Sequence, residues 1–259
     1  MPRFFIEKCL DPAVGRLLLA GDDARHIRSV LRMQAGDELI VCDGARLDLT
    51  CRIRQIRPNA VELDVIGAVA NQTEPPYRAI LYQGLAKGEK METIIQKAVE
   101  LGVDRIVPVA CRRSVARLDP RDRDKKLVRW NRIAVEAAKQ CGRGIIPAVG
   151  EPLDFAQAAL EAAQADISLI PWENERGLGL RQALESFAWP ASKEAASPAA
   201  PPAPAISLLI GPEGGFAPEE VAAAVAAGIR PVTLGRRILR TETAGAAVLA
   251  MLVYRFNDF

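Results

Sequence analysis

The sequence predicts an α/β protein in two parts. A small β-barrel covers residues 1–70, a linker covers 71–77, and a parallel sheet with helices on both faces covers 78–259. Three observations predict it. The first 70 residues carry short strand-like runs separated by turn signals. The remainder alternates short apolar runs with helix-length amphipathic patterns. Two glycine-bearing loops near the C-terminus each follow an apolar run and precede a helical one. That is where open parallel sheets bind ligands.

In the first part, strands are expected at Arg3–Ile6, Gly15–Leu19, Glu38–Cys42, Arg46–Ile53 and Val61–Ile66, with turns at Asp43-Gly44 and Pro58-Asn59. One helix is expected from Asp22 to Met33, entered at Gly21 and left at Gly36. In the second part, strands are expected at Ala79–Tyr82, Arg105–Val109, Ile167–Ile170, Ile206–Ile210 and Pro231–Leu234. Helices are expected at Lys90–Leu101, Lys125–Gln140, Leu153–Ala163, Pro218–Ala227 and Glu242–Phe256. The Ala/Pro-rich stretch 191–205 cannot build a packed core and is expected to be a flexible insertion.

Composition narrows the function. The 259 residues are 49% hydrophobic and 25% charged, which is ordinary for a soluble globular chain. No apolar run approaches the ~20 residues needed to span a bilayer, and the N-terminus lacks a signal-peptide core. The expectation is a cytoplasmic protein that binds no membrane. Cys9, Cys42, Cys51, Cys111 and Cys141 are widely spaced without a CxxC pair, which argues against disulfides and zinc. Cys141 reads as a structural thiol in preference to a nucleophile, since no histidine lies near it in sequence. His26 is the only histidine, so multi-histidine metal sites are excluded and no metal is expected. It reads as an RNA or interface contact more readily than as an acid–base group. The net charge of +2 is uneven: residues 78–144 hold sixteen basic and eight acidic side chains, and residues 145–234 hold four basic and eleven acidic. Such asymmetry points to one face built for an anionic partner, nucleic acid first.

The first loop reads Ile210-Gly211-Pro212-Glu213-Gly214-Gly215-Phe216, and the second runs from Leu234-Gly235-Arg236-Arg237 through Ile238-Leu239-Arg240-Thr241 to Glu242-Thr243-Ala244. Neither is a GxGxxG or GxxxxGK[ST] phosphate cradle. The glycines let backbone approach a ligand closely, or serve a plain structural turn. Pro218, Glu219 and Glu220 open a helix whose acidic start disfavours phosphate. Thr241 reads as the N-cap of the last helix. Arg236, Arg237 and Arg240 read either as a solvated cluster or as an anion clamp beside a pocket.

Together the two loops resemble the signature of the SPOUT methyltransferases, closest to the bacterial small-subunit (16S) ribosomal RNA uridine-N3 methyltransferase family. That family shows GPEGG followed by LGxRxLRxETA, and both stand here in order. Agreement extends to His26-Ile27-Arg28-Ser29-Val30-Leu31-Arg32, Gly88-Glu89-Lys90-Met91-Glu92, Gln96–Gly102 and Gln140-Cys141-Gly142-Arg143, nearly the whole chain. The insertion at 191–205 departs from the pattern without touching a motif.

The resemblance implies a trefoil-knotted C-terminal domain, an N-terminal PUA-like RNA-binding barrel and a homodimer packed through the knot. It implies S-adenosylmethionine as cofactor, bound by Pro171, Trp172, Ile210, Gly211, Pro212, Glu213, Gly214, Gly215, Leu234, Gly235, Arg237, Leu239, Arg240, Thr241 and Thr243. It implies methyl transfer to a uridine N3 in the decoding region of small-subunit ribosomal RNA, free or in the assembled 30S subunit. Arg240 is the candidate for stabilising the uracil anion, with Glu242 a candidate base or orienting group. Candidate RNA contacts are Arg3, Phe5, His26, Arg28 and Arg32 in the barrel and Lys87, Lys90, Arg112, Arg113 and Arg143 beyond it. Phe5 and Trp172 can each stack on an extruded base or pack in a core. The competing reading is a non-catalytic RNA-binding or ribosome-assembly module on the same fold, which would have no need of intact cofactor loops. A nucleotide-dependent α/β enzyme is disfavoured by the missing phosphate loops.

Overall fold

A computed structural model describes residues 1–6, 14–44, 47–187, 189 and 203–256. The expected insertion therefore lies outside the described residues except at its last three positions. The chain divides into two compact units, residues 1–74 with 136–146, and residues 75–135 with 147–259.

The first unit holds β1 (Arg3–Phe5), β2 (Arg16–Ala20), α1 (Gly21–Arg25), β3 (Glu38–Cys42), β4 (Leu47–Ile56) and β5 (Ala60–Ala70). They form a five-stranded sheet in the order β1-β3-β4-β5-β2, antiparallel except for the β1–β3 pair. Register shifts between Thr50 and Cys51 and between Ile53 and Gln55 break the long β4–β5 ladder. Such bulges bend a sheet, here around a core that includes Phe4, Ile27, Leu39, Val41, Leu49, Ile53 and Leu63. The helix expected at Asp22–Met33 is instead α1 followed by a π-helical turn at His26–Val30, where the Leu31 amide bonds the His26 carbonyl at 3.0 Å. It ends at Arg32 in a left-handed conformation, φ 52°, uncommon for a residue with a side chain.

The connecting segment is fastened to this unit. Asn71 donates to Asp48 at 2.9 Å and to the Gly142 carbonyl at 3.2 Å. The buried Glu74 carboxylate accepts from Arg143 at 2.6 Å and from the amides of Gly144 and Ile145 at 2.9 and 3.1 Å. Gly144 is required there, because a Cβ would lie 2.7 Å from the Asn71 side chain.

The second unit holds β6 (Arg78–Gly84), α2 (Lys90–Glu100), β7 (Val103–Ala110), α3 (Pro120–Cys141), β8 (Ala148–Val149), β9 (Leu153–Asp154), α4 (Phe155–Ala162), β10 (Ile167–Pro171), α5 (Leu180–Glu185), β11 (Ala205–Ile210), α6 (Pro218–Ala226), β12 (Arg230–Val232) and α7 (Thr241–Phe256). The last turns of α3 belong to the first unit. All pairings in the seven-stranded sheet are parallel, in the order β12-β10-β11-β6-β7-β8 with β9 against β7. Residues of α4 and α6 pack with Tyr82, Val107, Ile170 and Leu209 on one face. On the other, α7 lies against α2, β6 and β11, with Gly245 directly over Leu81 and Ile210. The expected parallel sheet with helices on both faces is thus present. The two-residue strands β8 and β9 and the six-residue α5 are too short to show a period in sequence. Among the described residues no helix is long and apolar enough to cross a membrane.

Burial pushes the thiols of Cys42 and Cys51 up to about 11 and that of Cys111 to about 12, so these three cysteines are structural. Replacing Glu74 by alanine removes the carboxylate from a buried ion pair and from the amides of Gly144 and Ile145. The expected loss is about 3–5 kcal/mol by urea unfolding, whereas a loss below about 1 kcal/mol would mark the pair as an ordinary surface bridge.

Candidate functional site

Strands β12, β10, β11 and β6 are neighbours and parallel, so the loops that follow β10, β11 and β12 leave one edge of the sheet side by side. They enclose a cavity of about 610 Å³, within the size range of small-ligand sites.

The first loop, 172–179, is fastened to the end of β12. The Trp172 amide donates to the Val232 carbonyl at 3.0 Å and the Thr233 amide to the Leu178 carbonyl at 2.8 Å. Within it, Glu175 accepts from the amides of Gly177 and Leu178 at 2.6 and 3.0 Å. The Leu178 and Gly177 amides hold its carboxyl below the usual glutamate value. Trp172 is half-buried, packed on the core while lining the cavity.

The second loop, 211–217, is held from three sides. The tip of β6 presses on it: a Cβ at Gly84 would lie 2.5 Å from the Pro212 nitrogen. Gly214 lies equally close to the Arg113 backbone, where a Cβ would meet its carbonyl oxygen at 2.9 Å. Gly215 adopts φ +65°, a conformation that favours glycine. Glu213 accepts from the Lys87 amide at 3.0 Å, and Lys90 stands 3.4 Å away. The buried Glu220 accepts from the Ala217 amide at one oxygen and the Arg112 amide at the other, both at 2.8 Å. It therefore caps α6 and ties down the 111–114 loop, and only the exposed Glu219, 3.3 Å from Arg112, remains as free acid at this helix start.

The third loop, 233–240, turns at Gly235 (φ +108°) and carries Arg236, Arg237 and Arg240 exposed at the cavity rim, with Ile238 85% exposed between them. These three guanidiniums make no ion pair among the described residues. The chain then enters α7 at Thr241. Its hydroxyl does not cap the helix as expected; it donates to the Gly211 carbonyl at 2.6 Å and accepts from Gln83 at 2.9 Å.

Every expected cofactor residue lines the cavity except Thr243, which sits one turn into α7 with an exposed side chain. Glu173, Asn174, Arg176, Phe216, Thr233, Arg236, Ile238 and Ala244 also line it. Gln83, Gly84 and Glu220 support it from behind. Of these three only Glu220 carries a clear local signal, as the acidic third residue of a helix that starts at Pro218.

Several charged candidates are committed elsewhere. Glu242 does not line the cavity; Lys90 lies 3.4 Å from it and equally far from Glu213. Glu242 Oε2 is buried there without a hydrogen bond, and the partly exposed Lys90 is shared between the two carboxylates. Arg143 is 4% exposed in its pair with Glu74, out of reach of any phosphate. Arg3 is locked bidentate to Asp48 at 2.5 and 2.7 Å, with its guanidinium shielded. The other candidates keep accessible side chains. His26, Arg28 and Arg32 are exposed on one short helical segment, with His26 edge-on to Phe4 and Arg28 bonded to the Pro58 carbonyl. Phe5 is half-buried on β1; Lys87, Arg112 and Arg113 are exposed, and Arg113 also reaches the Gly214 carbonyl at 3.4 Å. Among the described residues no cluster of three or more His, Cys, Asp or Glu could hold a metal ion.

The profile of the RNA methyltransferase domain matches residues 73–253, and that of the RNA methyltransferase PUA domain matches residues 19–66. Ribosomal RNA small subunit methyltransferase E of Bacillus subtilis is 31% identical over 257 residues, covering 98% of this chain and 97% of its own. The chain belongs to this methyltransferase E family. Among solved structures, the Neisseria gonorrhoeae family member bound to S-adenosyl methionine aligns with a TM-score of 0.83 at 30% identity, covering 99% of this chain and 98% of its own. A Legionella pneumophila methyltransferase in complex with bound SAM aligns with a TM-score of 0.82 at 31% identity, covering 98% and 97%. Family membership makes the fold a SPOUT-class methyltransferase domain behind a PUA domain.

Burial pushes the Glu213 carboxyl up, but the Lys87 amide, its own amide and the Lys90 ammonium together hold it below the usual glutamate value. A lowered folded value means that its stabilisation is complete above about pH 4.3 and is lost as pH falls through the folded value. Glu213→Gln should therefore flatten the acid limb of stability against pH in urea titrations; an unchanged slope would show that these contacts do not form in solution.

Proposed function

We propose that the chain transfers a methyl group from S-adenosylmethionine to N3 of a uridine in the decoding region of small-subunit ribosomal RNA, either free or in the 30S subunit. One observation carries the reading: a glycine-rich cavity without a phosphate loop, bordered by Glu173 and Glu213, with three unpaired arginines at its rim. The lining fits such a cofactor. A Cβ at Gly211 would stand 3.3 Å from Gly215 and one at Gly215 would stand 3.1 Å from Glu173, so both glycines let the loop close tightly on itself and on Glu173 at the cavity wall. Glu173 suits a cationic group, whereas Glu213 is already taken up by the Lys87 amide and the Lys90 ammonium.

The bound cofactor supplies an activated methyl on a sulfonium, so the residues need not generate an electrophile. Their part is orientation and charge. The three loops hold the reacting atoms in line, which is worth several orders of magnitude in rate. As N3 loses its proton to water, negative charge spreads to the uracil carbonyl oxygens. Arg240, at the rim and unpaired, is the group proposed to stabilise it. Exposed Arg236, Arg237, Arg112, Arg113 and Lys87 supply phosphate contacts in the same unit, and His26, Arg28 and Arg32 do so from the PUA-like unit.

Two further features of the family reading have support. The connection after β12 returns past the ends of β10 and β11 to start α7 beside Gly211 and Gln83, a path that suits a trefoil knot. The outer face of α7 exposes Ala250, Met251 and the 78%-exposed Tyr254, an apolar stripe suited to a homodimer. A non-catalytic RNA-binding module has no use for the cavity.

The test uses ribosomal subunits from a strain lacking this activity and methyl-labelled cofactor. Label is expected at N3 of one uridine in the small subunit; label on a ribose or another base would contradict the reading. Arg240→Ala should lower turnover about 100- to 1000-fold with cofactor affinity nearly unchanged. Near-normal turnover would remove Arg240 from the chemistry.

A further inference from the structure

Gln83 is the penultimate residue of β6 and is 0% exposed, yet its side-chain oxygen Oε1 has no hydrogen-bond partner among the described residues. Buried polar atoms are nearly always paired, so an orphan of this kind calls for a reason. The reason lies in the nitrogen. Nε2 stands 3.1 Å from the Gly84 carbonyl oxygen and 2.9 Å from the Thr241 hydroxyl. Gly84 O can only accept, so the amide cannot be turned around to satisfy Oε1. Thr241 Oγ1 in turn lies 2.6 Å from the Gly211 carbonyl, again an acceptor only. The single hydroxyl hydrogen must point there, and the hydroxyl must accept from Gln83. The direction of the chain is thereby fixed: Gln83 donates to Thr241, and Thr241 donates to Gly211.

This relay joins three separate segments, the tip of β6, the head of the second loop and the start of α7. Gly211 and Arg240, the residue next to Thr241, both line the cavity, whereas Gln83 does not. We infer that Gln83 is a positioning residue for methyl transfer: through the Thr241 hydroxyl it fixes the spacing between the Gly211 loop and Arg240. The inference rests on the function proposed above. The second loop keeps independent anchors at Lys87, at Gly84 and through Glu220. Losing the relay should therefore spare cofactor binding and disturb the alignment of the reacting groups.

The experiment compares Thr241→Ser, Thr241→Val and Gln83→Met in the full chain. It measures kcat on small subunits lacking the modification, KM and calorimetric Kd for S-adenosylmethionine, and ligand-free amide exchange over 211–216 and 239–242. Thr241→Ser keeps the hydroxyl and should retain more of the parent's kcat than Thr241→Val. Thr241→Val and Gln83→Met should lower kcat about 10- to 100-fold, the scale of a 1 Å misplacement, and in Gln83→Met, whose side chain does not line the cavity, Kd should stay within about fivefold. Exchange should rise in both segments together. Should Thr241→Val fail to fold, Gln83→Met carries the test, since it leaves the Thr241–Gly211 bond in place. Parent-like kcat in Gln83→Met, a loss that serine does not rescue, or a change confined to KM would overturn the relay. A parent protein that binds cofactor but methylates no RNA would overturn the proposed function instead. Exchange then decides the relay alone, and unaltered exchange in Gln83→Met would sink it.

Discussion

Parallel strands β10, β11 and β12 end at one sheet edge, and beyond a few backbone bonds between loop 172–179 and the end of β12 the chain that leaves them has no ladder to continue. Backbone amides near a buried site must nevertheless be satisfied. Here carboxylates do much of it. Glu175 takes two amides within the first loop, Glu213 takes that of Lys87, and Glu220 takes those of Ala217 and Arg112. The first unit repeats the device with Glu74 and the amides of Gly144 and Ile145. A carboxylate is well suited to this work because it accepts at both oxygens and bonds charged-to-neutral more strongly than a neutral acceptor does.

This changes the meaning of the charge asymmetry. The acidic excess over residues 145–234 reads in sequence as a counterpart to the basic stretch before it. In the fold, three of those carboxylates, Glu175, Glu213 and Glu220, hold the ligand-side loops in shape. What remains outward at the cavity is the cationic set of Arg236, Arg237 and Arg240, uncompensated by any carboxylate among the described residues. On the function proposed above, an anionic partner would meet those arginines while a cationic, phosphate-free ligand lies along the glycine loops beside Glu173, so that one small region would sort two ligands by charge.

Apart from β8, β9 and α5, the strands and helices of the second unit are legible because their hydrophobic periods are long enough to read, and both glycine loops are legible because their residues are contiguous. Partnerships are not. Arg3 with Asp48, Arg143 with Glu74 and Lys90 with Glu242 join residues 45, 69 and 152 positions apart, and no local pattern announces them. The first two shield arginines whose type alone suggests an RNA contact. Gln83 was missed for the same reason: a glutamine ending an apolar run gives no sign that it faces Thr241, 158 residues later. The π-helical turn at His26–Val30 replaced the second half of a helix whose apolar spacing fits either form.

The central claim is that the three loops form one preshaped cradle for a cationic ligand without phosphate. Calorimetric titration of the full chain with S-adenosylmethionine, and separately with ATP, tests it most directly. The account predicts saturable binding of S-adenosylmethionine at one site per chain, no measurable heat from ATP, and loss of the first in Gly84→Ala, whose methyl would displace Pro212. Absence of binding at millimolar S-adenosylmethionine, or comparable binding of ATP, would contradict it.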